Sequence, residues 1–169
     1  PGLGNQQGYV DLYVAHEQSH VPFQGFADYQ GSSVSRVRVD VASKTITDLD
    51  VVLQPDEGFI RFCSAFMAGP EHGFPHYTFL VNEESNDVLP VPAGASYGPD
   101  PFLAPNRQAG YSVYLDTVTG KSGVLAGAGR HNHENQVIVP GWKKGIVALS
   151  GDDTFTAPSS QLYMFQSAS

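Results

Sequence analysis

Apolar and polar positions along this chain fall into short runs with the period of strands. Val34 to Val41 reads Val-Ser-Arg-Val-Arg-Val-Asp-Val, the alternation of a half-buried strand. The pattern slips by one residue near Arg36, which a bulge accommodates. Tyr9 to Ala15, Thr45 to Leu53, Tyr77 to Val81, Tyr111 to Asp116, Gly123 to Ala126, Gln136 to Val139, Gly145 to Leu149 and Gln161 to Gln166 are further β-prone runs, most of them bounded by turn residues. Phe59 to Met67, FIRFCSAFM, fits both periods and reads as strand or irregular chain. Asn86 to Arg107 is Pro-rich and aperiodic, the mark of a long surface excursion. No segment sustains a helical period with caps, so the fold is predicted to be all-β.

Two strand–turn–strand units share a layout. Val34 to Leu53 and Tyr111 to Ala126 each run from a Val- or Tyr-rich strand to an Asp, a small turn containing Lys, and a returning strand. This internal repeat predicts a β-propeller-like architecture, in which antiparallel blades bring their loops to one mouth. The strands suffice for roughly two to three blades, whereas a closed propeller needs at least four. A β-sandwich or jelly roll is the rival; it needs no closure and leaves the repeat unexplained. The propeller reading therefore expects a single β domain over 1–169 that is part of a larger ring, completed by a second protein chain or by self-assembly.

Composition narrows the partners. At 169 residues the chain can bury one real core. A net charge of −8 with no Lys/Arg cluster argues against nucleic acid, whose phosphates require a basic stripe. No apolar run has the length of a membrane-spanning helix. The single Cys63 excludes an internal disulfide framework and, lying among Phe62, Phe66 and Met67, reads as a small buried apolar residue. The chain opens on Pro1, which reads as a processed end or as part of something longer.

The chemistry concentrates at run ends. LYVAHE ends in Glu17, YTFLVNEES carries Glu83 and Glu84, and the polar loop Arg130-His131-Asn132-His133-Glu134-Asn135 lies between two strands. Polar groups in such number would cost much desolvation in a core, so a site on a loop explains them better. Carboxylates at rigid strand ends supply the oxygen ligands that hard cations require. Glu17, Glu84 and Glu134 are thus expected to converge on one metal site. His131 and His133 are weaker candidates for a transition metal, and His16 is expected to orient a ligand without being one. Arg130 could steady a phosphate through its forked donors, or be a surface Arg. No phosphate-binding Gly-rich loop or Cys-x-x-Cys pair occurs.

LYVAHE, FIRFCSAFMAG, YTFLVNEES, GYSVYLDTVTGKSGVLAGAGRHNHENQVIV, GIVALSGDD and SQLYMFQ together resemble the PhoX-type alkaline phosphatases and their secreted relatives. The resemblance implies a six-bladed propeller, secreted or periplasmic, holding calcium and, in the characterised type, iron at a Glu cluster that hydrolyses phosphate esters. It places Glu17 at the family's Asn-His-Glu position, Glu83 and Glu84 at its double Glu, and Glu134 at its His-Glu. The family pattern has Cys just before the double Glu, where this chain has Asn82. Two functions follow as expectations: phosphomonoester hydrolysis at a calcium or iron site, with Arg130 as the catalytic cation, or a non-catalytic, calcium-stabilised extracellular module.

Overall fold

The strand TFLVNE is buried at every position, because sheets cover both of its faces. The computed structural model that shows this describes residues 8–18, 31–154 and 160–167. Its strands are β1 (Tyr9–His16), β2 (Ser33–Asp40), β3 (Ile46–Leu53), β4 (Phe62–Ala68), β5 (Thr78–Glu83, the strand above) and β6 (Val88–Pro90). They continue as β7 (Asn106–Gln108), β8 (Ser112–Asp116), β9 (Ser122–Val124), β10 (His133–Ile138), β11 (Val147–Asp152) and β12 (Leu162–Gln166). Among the described residues the only helical elements are short 3-10 turns, so the all-β expectation holds.

The strands form an antiparallel sheet β1-β2-β3, a middle sheet β4-β5-β8-β9, a third sheet β10-β11-β12 and the small pair β6-β7. None of these sheets closes on itself. Phe79, Val81, Val113 and Leu115 on one face of the middle sheet pack against Val34 and Leu53 of the first. Leu80 and Ala68, on its other face, pack against Ile138 and Ala148 of the third. The result is three layers, the two faces of the middle sheet each feeding one core as the two-residue period dictates. The closest backbone approach between sheets runs along β1, β4, β5 and β10. Away from that edge, cavities of about 270 and 310 Å³ separate the layers, one beside Tyr13, Val52 and Leu115, the other beside Leu125, Ile138 and Phe165. The sheets therefore fan outward.

The internal repeat is real at the level of the turns. Asp40 accepts the Ser43 amide through its carboxylate, and Asp116 accepts those of Val118 and Thr119. In both hairpins the Asp amide closes onto the residue five positions on, Thr45 or Lys121. The position before that residue is left-handed in both, Lys44 at φ 58° and Gly120 at φ 71°. The slip expected near Arg36 resolves into two bulges flanking it, at Val34/Ser35 and at Arg38/Val39. The 86–107 excursion is more ordered than its composition suggests: β6 and β7 pair within it, and Arg107 carries its end into the core.

Candidate metal site

One end of the three-layer stack collects the ends of five strands. Arg61, just before β4, organises them. Its amide donates to the Gln18 carbonyl at 2.7 Å, and its carbonyl accepts the amides of Cys63 and Glu84 at 2.8 and 2.9 Å. Arg61 has a left-handed backbone (φ 50°), which a non-glycine residue adopts at a cost and which clusters at functional sites. The chain after β1, the start of β4 and the residue after β5 are thus tied to one residue. Glu84 also forms an isolated bridge with Asn132, which brings in the loop before β10. Asn132 in turn accepts the Asp153 amide, adding the end of β11.

Two bulges aim side chains at this end. Phe62 pairs with Glu83 and Ser64 with Asn82, so Cys63 is the extra residue of β4. His133 pairs with Asp152 and Asn135 with Gly151, so Glu134 is the extra residue of β10. A bulge reverses the local alternation and turns an otherwise inward side chain outward. Cys63 is accordingly exposed, which corrects the expectation of a buried apolar residue. Ligand atoms of Glu17, Cys63 and Glu84 all lie within 4.8 Å of one another.

The electrostatics of the cluster are unbalanced. Glu84 is buried, and burial raises its carboxyl above the usual range; Asp153 adds to this, while Cys63 and Arg61 oppose it. The Cys63 thiol is pushed up to about 12, first by its interaction with Glu84, then by burial, then by the charges of Glu84, Glu17 and Glu134. Arg61 stands 3.7 Å from Glu84. It is the one cation paired with this group among the described residues. Crowded acids that resist ionisation gain from a cation, whose binding would displace their protons. The donor set fits a metal: a thiol beside two carboxylates suits a transition ion, and the carboxylates alone suit a hard one.

The other expected site residues lie elsewhere. Glu83 has no exposed surface, and Arg107 grips both its oxygens at 2.7 and 2.8 Å while the amides of Ile60 and Tyr111 donate to them. Every strong acceptor position is used, so Glu83 braces the core behind Glu84. Arg130 pairs with Asp100, donates to the Tyr111 hydroxyl and the Gln108 carbonyl, and lies 4.1 Å over the Tyr111 ring. His131 and His133 stack at 3.6 Å and share the Ser150 hydroxyl, pointing into the third sheet. His16 meets Ser35 at 2.8 Å. Gly110 is required here: a Cβ would lie 2.5 Å from the His131 carbonyl oxygen. Glu134 is exposed and near enough to raise the Cys63 thiol, yet outside the closest trio. Sequence reasoning missed Cys63 and Arg61 as members; the left-handed Arg61 and the bulge at Cys63 leave no signature in residue type.

Compared with protein-family models, curated proteins and solved structures, the chain matches none.

Proposed function

We propose that the chain is a metal-dependent, phosphatase-like β-propeller module, its three sheets being three blades of a larger ring. The observation that carries this reading is the convergence of Glu17, Cys63 and Glu84 within 4.8 Å at the end where β1, β5 and β11 finish and β4 and β10 begin. Iron is the ion the thiol–carboxylate trio would hold; calcium suits the carboxylates of Glu17 and Glu84. When bound, such cations polarise the phosphoryl oxygens of an ester. The protein's own part is to position the ligands on rigid strand ends and to add a guanidinium. Arg61 supplies it better than Arg130, because its side chain is 47% exposed and, among the described residues, paired with Glu84, whereas Arg130 is consumed by Asp100 and Tyr111. A forked donor at that place would steady the charge on a transferring phosphoryl group.

The test is hydrolysis of a chromogenic phosphate monoester with calcium, with iron and with chelator. Turnover that depends on added metal and falls in Arg61→Met supports the reading. Metal binding without turnover would leave the non-catalytic, metal-stabilised extracellular module, a reading favoured by the sequestration of Arg130. A secreted or periplasmic location belongs to the same proposal.

A further inference from the structure

Among the described residues, the two outer layers each leave one face exposed, and these faces are largely apolar. On the first sheet Leu12, Val14, Ile46, Leu49 and Val51 are 41–64% exposed. The register puts them together: Leu12 pairs with Val37 and Val37 with Leu49, while Val14 pairs with Ser35 and Ser35 with Val51. On the third sheet Val137 pairs with Leu149 and Leu149 with Met164, with Leu162 beside them. Val137, Leu162 and Met164 are 43%, 73% and 67% exposed. Contiguous apolar faces of this kind mark interfaces. They also lie at opposite ends of one fan, because the middle sheet separates their layers.

We infer that these faces are docking surfaces for a second copy of this chain, the first sheet of each copy packing on the third sheet of the other about a two-fold axis. Area selects this arrangement. The smaller face has strands of five and six residues, about 20 Å by 14 Å, so one face-to-face contact buries roughly 600 Å². That is the size of a lattice contact, whereas two such contacts reach about 1,200 Å², the lower end of stable specific interfaces. Only a closed two-fold pair makes both at once. The fan shape permits it, since sheets that meet along β1, β4 and β10 and diverge outward turn their end faces toward a common partner. A cavity of about 370 Å³ beside His16, Ser33, Ser35 and Val51 opens on the first of these faces. The second copy would form its outer wall.

The experiment is light scattering across a concentration series on the native chain, on Leu49→Lys, on Met164→Glu and on their equimolar mixture, with circular dichroism to verify folding. Both positions are exposed, so the monomer fold tolerates the charges. The expected result is a native mass twice that of the chain, monomers for each variant alone, and a restored dimer on mixing, where one contact is native and the other sets Lys against Glu. A native chain that stays monomeric overturns the inference and assigns the faces to another occupant. Variants that remain dimeric place the interface elsewhere. A mass that grows without limit means an open chain of single contacts and contradicts the two-fold pair.

Discussion

Glu83 and Glu84 are neighbours in sequence with opposite roles in the fold. Glu83 lies at 0% exposure with both oxygens held by Arg107, while Glu84, one residue on, faces Glu17 and Cys63 at the open end of the stack. The alternation of a strand separates them: one carboxylate braces the site from inside, the other belongs to it. The brace is large, because the Arg107 guanidinium also sits 5.0–5.6 Å from the rings of Phe59, Tyr97 and Tyr111.

Breaking that ion pair strands a charge in the core. Glu83→Gln or Arg107→Met is expected to lose about 3–5 kcal/mol in denaturant unfolding, the scale for an uncompensated buried charge. A loss below about 1 kcal/mol in both would show that water reaches the pair.

Cys63 is exposed but protonated. With its thiol held near 12, largely by Glu84, alkylation at mild alkaline pH should be slow for an accessible cysteine. Glu84→Gln removes the largest cause and should speed labelling about tenfold, with the pH–rate profile moving down. Equal rates in the two proteins would mean that the acids do not act on the thiol.

The buried His133 makes acid destabilising. Its imidazole takes a proton only at about 4, because burial and the adjacent His131 disfavour the charge. In the unfolded chain it does so near 6.5. Between those values the unfolded state holds more protons, so stability falls as pH falls, by about 3 kcal/mol over the whole window. His133→Gln should flatten that part of the stability–pH curve; a curve parallel to the native one refutes the assignment.

The paired turns predict a stabilising substitution. Lys44 adopts the left-handed conformation that Gly120 holds in the matching hairpin. Lys44→Gly should raise stability by about 1 kcal/mol in thermal unfolding, and Gly120→Lys lower it by a similar amount. No change at either position would mean that the turns differ in solution.

The strand pattern made the fold class readable, and the Asp–turn–strand repeat made the two hairpins readable, because backbone period and turn chemistry are local. Of the expected trio Glu17, Glu84 and Glu134, the first two come together, and Glu134 stays outside the closest group. What the sequence hid depends on register. Cys63 sits in the apolar context FIRFCSAFM, and only a bulge opposite Glu83 and Asn82 turns it outward. Arg130 looked free in a polar loop, yet its partner Asp100 comes from the Pro-rich excursion, which carried no periodic signal. The reading of the opening at Pro1 lies outside the described residues.

The central claim is that Glu17, Cys63 and Glu84 hold a metal ion. Elemental analysis of the purified native chain, beside Cys63→Ser and Glu84→Gln of verified fold, tests it most directly. The account predicts bound iron or calcium in the native protein, lost from Glu84→Gln. In Cys63→Ser iron should be lost and calcium kept, since the carboxylates of Glu17 and Glu84 remain. A native chain that carries no metal, takes up neither ion on titration, and unfolds at the same temperature with and without chelator would contradict it.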